Sequence, residues 1–146
     1  MYTFRKVNLE TDLEDFNELM DDLVYHPVDQ EKMKKIITRY NQRDDAYLLV
    51  VEENSTHKLI GSLLSILVED YSEDLRPLCY IENVVVHHDY RKQGVGKAMF
   101  EYIHEWAKKH NVNYELLVSS NFRTGAHQFY QKIGFEEVKG YKNFFD

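Results

Sequence analysis

The stretch 80–98, YIENVVVHHDYRKQGVGKA, decides how the rest of the chain is organised. Its first seven residues include three consecutive valines, a composition typical of a buried β-strand. A polar turn (87–90) and a basic segment with two glycines (91–96) follow, and apolar residues then recur at helical spacing from 95 to 107. This order predicts a strand that passes through a tight turn directly into an amphipathic helix.

The segment before this helix has the features of an anion-binding site. Its two glycines let a ligand approach the backbone closely, and the first N–H groups of a helix have no intrahelical acceptor. The helix dipole adds positive charge there, and Arg91, Lys92 and Lys97 add more. Phosphate groups are therefore the expected ligands.

Two common nucleotide motifs are excluded by single residues. The dinucleotide fingerprint needs glycine where this chain has Met99, and the P-loop needs serine or threonine where it has Ala98. The remaining pattern, RKQGVG at 91–96 after a strand, resembles the acyl-CoA pyrophosphate motif of the GNAT N-acetyltransferase superfamily. Asn121 followed by AHQFYQKIGF at 126–135 resembles a second segment of that superfamily, Asn…Ala-x-x-Phe-Tyr-x-x-x-Gly-Phe.

The resemblance, which is clear over residues 78–138, implies the α/β fold of the GNAT superfamily. That fold has a central, mixed and mostly antiparallel sheet of about seven strands flanked by about four helices. The periodicity of the chain predicts the order βααβββαβαββ within a single domain, 1–146. The predicted strands are 2–8, 46–52, 58–68, 80–86, 114–119, 135–138 and 141–145, and the predicted helices are 13–25, 29–40, 95–110 and 125–133. Thr11 or Asp12 is the expected N-cap of the first helix, and Gly134 the C-terminal cap of the last.

The resemblance also implies acetyl-CoA as co-substrate. Its pyrophosphate would contact the motif, and its pantetheine arm would pair with the backbone of the preceding strand like an added strand. A backbone N–H at Val84 or Val85 would polarise the thioester carbonyl. Asn121 would hydrogen-bond the coenzyme, or it is simply a turn residue. The residues expected to bind acetyl-CoA are Val84, Val85, Val86, Arg91, Lys92, Gln93, Gly94, Val95, Gly96, Lys97, Ala98 and Asn121.

Glu82 is the predicted general base. An alkyl amine with a pKa near ~10 is mostly protonated at pH 7, and deprotonating it costs roughly 4 kcal/mol. Strand alternation predicts that Tyr80, Glu82, Val84 and Val86 share one face, so that Glu82 lies beside the thioester and acts directly or through water. A carboxylate in an apolar strand is costly to bury without a purpose or a partner. The alternative is a carboxylate hydrogen-bonded to a neighbouring strand or loop.

Tyr130 resembles the family's general acid, a phenol that protonates the departing thiolate. The alternative is core packing, because Ala126, Phe129, Tyr130 and Ile133 have core-facing spacing. Retention of both Glu82 and Tyr130 favours an enzyme over a non-catalytic acyl-CoA sensor. The expected activity is acetyl transfer to a primary amine of a small molecule in a ternary complex, with a protein lysine or N-terminus as the alternative acceptor.

Composition limits the expected partners. The formal net charge of −7 argues against nucleic acid, and no apolar run approaches membrane-spanning length. The single cysteine, Cys79, excludes an internal disulfide and predicts a cytoplasmic protein. His87 and His88 are adjacent, a poor spacing for chelation, so no metal site is expected. The resemblance implies a homodimer, while the amine and the acyl-chain preference stay open.

Overall fold

The structure describes residues 1–23, 27–72, 74–120 and 123–146. Within these ranges, five strands and four α-helices follow the predicted order up to the last helix. In this computed structural model the elements are β1 (Tyr2–Lys6), α1 (Leu9–Met20), α2 (Gln30–Asn41), β2 (Ala46–Glu53), β3 (Leu59–Val68), β4 (Leu78–Val86), α3 (Val95–Lys109), β5 (Glu115–Leu117) and α4 (Thr124–Lys132). The chain divides into two compact units, Met1–Leu116 and Leu117–Asp146. Within the described ranges, no helix is both long and apolar enough to cross a membrane.

The strands form one sheet in the order β1-β2-β3-β4-β5. The pairs β1–β2, β2–β3 and β3–β4 are antiparallel, which confirms the predicted hairpin of β2 and β3. Directly opposed residues of antiparallel strands share a face of the sheet. Leu48 lies opposite Leu64, and both pack in the cluster formed with α1 and α2. The opposite face is covered by α3.

An apolar cluster holds α1 and α2 on the first face. Fully burying a side chain of this kind stabilises the fold by about 1.5–3 kcal/mol relative to leaving it exposed. The cluster, rather than helix propensity, therefore fixes the two helices on the sheet. Its buried members are Val7, Phe16, Ile37, Leu48, Val50, Leu59 and Leu64, with Leu9, Met20, Met33, Tyr40 and Ile66 packed against them.

The long helix α3 covers the second face of the sheet with the apolar stripe that its sequence predicts. Val95, Met99, Phe100 and Ile103 are all buried. Gly61 of β3 permits the close approach, since a Cβ atom there would lie 2.7 Å from the Met99 Sδ and 3.4 Å from the Val95 Cγ1. The first turn of α3 therefore rests on a strand position that has no side chain.

The first helix differs from its predicted bounds, because α1 begins at residue 9 rather than 13 and ends at residue 20 rather than 25. The N-cap is Asn8, whose side chain accepts the Glu10 N–H at 3.0 Å. Asp12, one of the two predicted caps, lies inside the first turn, where it accepts the Asn8 N–H at 2.7 Å and pairs with Arg5. The C-cap is Asp21, whose N–H bonds the Asn17 and Glu18 carbonyls, both at 3.2 Å, and a carboxylate at this negative end of the helix dipole does not favour a further turn.

The strands predicted at 135–138 and 141–145 are wrong, because the described residues of this segment form no strand. The sheet consequently has five strands rather than about seven. Strand propensity depends on cross-strand packing, which the pattern of a single segment does not show. The predicted glycine cap of α4 is confirmed: Gly134 has φ +108°, and the following N–H bonds the Tyr130 carbonyl at 2.9 Å. The exposed aromatic side chains of the segment are Tyr141, Phe144 and Phe145.

Candidate functional site

Strand β4 contains a bulge in the region predicted to hold the pantetheine arm. Glu82 pairs with Leu64, and the next paired position joins Val85 to Ser62. Three residue steps along β4 therefore match two steps along β3. Asn83 has φ +55°, a left-handed conformation that asparagine adopts more readily than most residues. A bulge leaves an extra residue outside the ladder and redirects its side chain. The backbone groups of Asn83 and Val84 therefore lie where the regular pairing is interrupted.

The bulge makes the predicted alternation of side chains wrong. Tyr80 and Glu82 face α1 and α2, and because of the extra residue Val85 lies on this face as well. Val86 pairs with Gly61 and points to the face covered by α3. The predicted set (80, 82, 84 and 86) therefore does not share one face. A sequence pattern of period two does not show where a residue is inserted.

Glu82 is exposed, which corrects the argument that burying its carboxylate is costly. What distinguishes Glu82 is its position, immediately before the bulge on the face of α1 and α2. Burial, together with the charge and hydrogen bonding of the nearby Glu82 carboxylate, raises the pKa of the Tyr80 phenol. At neutral pH Tyr80 is therefore a protonated hydrogen-bond donor beside Glu82.

The start of α3 has the geometry predicted for an anion site. Gly94, the N-cap, has φ +85°, and no described side chain caps the helix or places an acid in its first turn. The first intrahelical hydrogen bond runs from the Ala98 N–H to the Gly94 carbonyl at 3.0 Å. The N–H groups of residues 95–97 precede it and point out of the helix start. The exposed Lys97, whose Nζ lies 4.0 Å from the Glu101 Oε1, adds positive charge close to these N–H groups, and the arrangement suits a phosphate group.

His87 anchors the turn between β4 and α3 to α1, a role that the sequence did not indicate. The residue is 3% exposed. Its Nδ1 accepts the Asp89 N–H at 3.1 Å, so that Nε2 carries the proton in the neutral ring and lies 3.3 Å from the Glu18 Oε1. Hydrogen bonds from His87 and then Lys58 lower the pKa of the Glu18 carboxyl. The turn is thus held by a buried side chain rather than by its glycines alone.

Arg91, predicted to bind the pyrophosphate, makes two contacts within this first unit. Its Nε donates to the Val86 carbonyl at 3.1 Å, and its Nη2 donates to the Asp22 Oδ2 at 3.0 Å. These contacts orient the guanidinium along the turn that follows α1. Lys92 and Gln93 are exposed, and Lys92 takes a left-handed conformation with φ +61°. Pyrophosphate binding by these side chains stays a prediction.

His87, His88 and Asp89 lie close enough to offer ligand atoms to one ion, within 4.8 Å of one another. The two histidine rings stack with centroids 4.3 Å apart. The adjacent positions of the two histidines therefore do not keep their rings apart, and the prediction that this spacing is poor for chelation is wrong. The buried His87 nevertheless already engages both ring nitrogens, with the Asp89 N–H and Glu18. The absence of a metal site stays a prediction.

A pocket of about 460 Å³ lies between α1, α2 and the sheet; we call it the helix-pair pocket. Asn83 of the bulge is among its lining residues, so the pocket extends to the interruption in β4. The lining residues are Phe16, Asn17, Met20, Asp21, Pro27, Val28, Gln30, Met33, Ile36, Ile37, Tyr40, Leu48, Ser62, Leu64 and Asn83.

Tyr130, the predicted general acid, lies in the second compact unit. Its ring contacts Phe129 and Phe135 edge to face, with centroids 5.5 and 5.8 Å apart. Burial raises the pKa of the Tyr130 phenol, while the charge of Arg123 lowers it by less. The phenol is therefore protonated at neutral pH, as proton donation requires. Asn121, a predicted coenzyme contact, lies outside the described residues.

The family model described as "Acetyltransferase (GNAT) family" matches residues 12–135. An uncharacterised N-acetyltransferase of Methanocaldococcus jannaschii is 32% identical over 149 residues, covering 96% of this chain. The chain spans 64% of the length of that relative.

Solved structures of acetyltransferases have the same fold. Glucosamine-6-phosphate N-acetyltransferase from Arabidopsis thaliana superposes with a TM-score of 0.86 at 22% identity, covering 100% of this chain and 99% of its own. An aminoglycoside N-acetyltransferase in complex with CoA superposes with a TM-score of 0.83 at 21% identity, covering 100% and 95%. The family model spans both the bulged strand and the uncapped start of α3. The chain therefore belongs to the GNAT family of acetyltransferases.

Proposed function

We propose that this chain transfers an acetyl group from acetyl-CoA to the primary amine of a small molecule, by direct attack in a ternary complex. The observation that carries the proposal is the bulge of β4, which lies beside the helix-pair pocket and precedes the uncapped start of α3. These features supply, in one compact unit, an interruption of the β3–β4 pairing, a pocket and an anion site. The CoA complex of the aminoglycoside N-acetyltransferase supports the choice of co-substrate.

In this proposal the first unit binds and polarises acetyl-CoA. The pyrophosphate lies at the N–H groups of residues 95–97, with Lys92 and Lys97 adding charge. The pantetheine arm pairs with the backbone of residues 84–86. An N–H of the bulge donates to the thioester oxygen, where negative charge develops as the amine attacks. The C–N bond forms, the C–S bond breaks, and CoA leaves as a thiolate.

Glu82 and Tyr130 move the protons in this scheme. Glu82, exposed on the same sheet face as the helix-pair pocket, takes one proton from the ammonium form of the acceptor, directly or through water, and leaves the neutral amine that attacks. Tyr130, which is protonated at neutral pH, gives its proton to the thiolate and regains one, through water, as the nitrogen loses its second proton and becomes the amide. A cytoplasmic homodimer without a metal, nucleic-acid or membrane partner remains our expectation.

Thiol release from acetyl-CoA over a panel of amines tests the proposal. We expect turnover by the wild type and losses of about 10²–10⁴-fold in kcat for Glu82→Gln and for Tyr130→Phe, the range typical of general acid–base catalysis. Glu10→Gln and Tyr141→Phe make the same chemical changes at exposed residues that are not among the lining of the helix-pair pocket, and should keep the full rate. Full activity of both site variants would show that the assigned roles are wrong.

A binding measurement separates the enzyme from the alternative, a non-catalytic acyl-CoA sensor. Calorimetric titration of acetyl-CoA should detect binding in the wild type and in Glu82→Gln. Binding without turnover of any amine would favour a sensor or a protein acceptor. No binding at all would contradict the proposed anion site at the start of α3.

A further inference from the structure

We infer that the acceptor is a primary amine whose carbon body is apolar and carries no phosphate or other anionic group. This inference rests on the proposed function and deepens it, because it names the chemistry that the helix-pair pocket selects. It also separates this chain from glucosamine-6-phosphate N-acetyltransferase, whose fold it shares. The floor of the pocket, its charges and its polar groups all favour such an amine.

The floor of the helix-pair pocket is part of the apolar cluster of the protein. Phe16, Ile37, Leu48 and Leu64 line the pocket and are themselves buried members of that cluster. Met33 lines the same space, and its flexible thioether adapts to apolar bodies of different shape. A sugar would place several hydroxyl groups against this floor with few partners, at a cost for each unpaired group.

None of the described lining residues carries a positive charge. The helix α2 turns residues 30, 33, 36, 37 and 40 toward the pocket, and Lys32, Lys34 and Lys35 fall between those positions. The start of α2 does not offer an anion site either, because the Asp29 carboxylate caps it and accepts the Lys32 N–H at 3.1 Å. A phosphate in this pocket would be desolvated without a cation or a free helix start to compensate.

Several polar groups of the lining are already used within the protein. The Ser62 hydroxyl is buried and donates to the Leu49 carbonyl at 2.7 Å, so its proton is not available to a ligand. The Asn17 amide donates to the Gln30 side chain at 2.7 Å and links the two helices. The pocket therefore offers a ligand fewer hydrogen-bonding groups than the residue types of its lining indicate.

The charge that the lining does carry is negative and attracts an ammonium group. Asp21 is exposed and caps the C-terminal end of α1, where the helix dipole is also negative. The last turn of α1 contains no basic residue. An amine that arrives protonated is thus attracted to the pocket, while a phosphate or carboxylate is repelled.

A matched pair of acceptors tests the inference, since tyramine and O-phosphotyramine have the same amine and ring and differ only in the phosphate. We expect the wild type to acetylate tyramine and 2-phenylethylamine with kcat/KM values at least about tenfold above that of O-phosphotyramine, or about 1.4 kcal/mol in transition-state binding. Glucosamine 6-phosphate and spermidine should be poorer acceptors than 2-phenylethylamine. Preference for glucosamine 6-phosphate, O-phosphotyramine or spermidine would overturn the inference and leave the proposed acetyl transfer intact.

A pair of variants on α2 tests whether the pocket itself makes the selection. Met33→Lys places a cation in the lining, and we expect it to lower the ratio of the tyramine and O-phosphotyramine kcat/KM values at least about fivefold. Glu31→Gln changes the net charge by the same amount on the same helix outside the pocket, and should leave the ratio unchanged. Equal ratios in all three proteins would overturn the assignment of the pocket.

The failure of the inference and the failure of the proposed function give different results. Acetyl-CoA binding without acetylation of any amine in the panel would contradict the proposed function, and the inference would fall with it. Acetylation that favours a phosphorylated or polycationic acceptor would contradict the inference alone. Circular dichroism of Met33→Lys separates a change of selectivity from a loss of folding, and the wild-type comparison does not depend on that variant.

Discussion

Replacing Gly61 with alanine tests how closely α3 rests on the sheet. The added Cβ would lie 2.7 Å from the Met99 Sδ, 3.4 Å from the Val95 Cγ1 and 3.5 Å from the Val51 Cγ2. These three side chains are at most 1% exposed, so none of them can move into solvent. Overpacking of this kind costs typically about 1–3 kcal/mol, and alanine recovers roughly 0.5–1 kcal/mol of backbone entropy relative to glycine. The two ranges differ by about 0–2.5 kcal/mol, and because all three neighbours are buried we expect a net loss in the upper part of this range, about 1–2 kcal/mol.

Urea and thermal unfolding measure this loss. For a chain of this size, 1 kcal/mol corresponds to roughly 3–4 °C in Tm. Gly125→Ala is the control, because a Cβ there would meet no heavy atom within 4 Å and alanine favours the helix α4. The control should be as stable as the wild type or slightly more stable. Equal stability of Gly61→Ala and wild type would refute the close contact between α3 and the sheet.

The same substitution links packing to ligand binding. Because Val95 belongs to the first turn of α3, a shift forced at Gly61 displaces the N–H groups proposed to hold the pyrophosphate. We expect acetyl-CoA to bind Gly61→Ala more weakly than Gly125→Ala. Shortening Met99 to alanine in the Gly61→Ala background should cost less than Met99→Ala costs alone, since it relieves the contact. Additive effects of the two substitutions would show that they do not meet.

Two further predictions concern the stability of the first unit. Asp12 is buried, and burial by itself raises the pKa of its carboxyl, but hydrogen bonds from Arg5 and from the Asn8 N–H, together with the charge of Arg5, lower this pKa overall. The contribution of Asp12 to stability is therefore present above the unfolded pKa of about 4 and is lost as pH falls through the folded pKa. Asp12→Asn should therefore cost about 1–3 kcal/mol in urea unfolding at pH 7 and clearly less at pH 3, and a difference independent of pH would contradict the ion pair. The Tyr47 and Tyr102 hydroxyl oxygens are 2.7 Å apart. A double-mutant cycle of Tyr→Phe variants at these two positions should give a coupling free energy of roughly 0.5–1.5 kcal/mol. Strictly additive losses of stability would argue against the hydrogen bond.

The elements with a strong apolar period could be predicted from the sequence, and the irregular ones could not. The helices α2 and α3 and the β2–β3 hairpin lie within a residue of their predicted bounds, because α3 buries one apolar stripe, α2 packs its apolar residues around the buried Ile37, and the two strands are buried on both faces. The bulge at Asn83 has no such pattern. Asparagine is compatible with both the extended and the left-handed backbone, so the valines after it look like a regular continuation. The register of a sheet is a property of two paired strands, whereas the predicted alternation around Glu82 rests on the sequence of one strand alone.

The hydrogen bonds of the candidate site between distant segments of the chain could not be predicted, for a related reason. Helical spacing identifies Phe16 and Met20 as inward residues of α1, and both line the helix-pair pocket. It does not indicate that Glu18, on the same helix, meets His87 of the turn before α3, 69 positions away in sequence. Apolar residues are predictable because their burial follows from any close packing, whereas a hydrogen bond depends on which two elements the fold brings together. The helix α1 thus lines the proposed acceptor pocket, with Phe16 and Met20 among its residues there, and anchors the proposed coenzyme turn through Glu18.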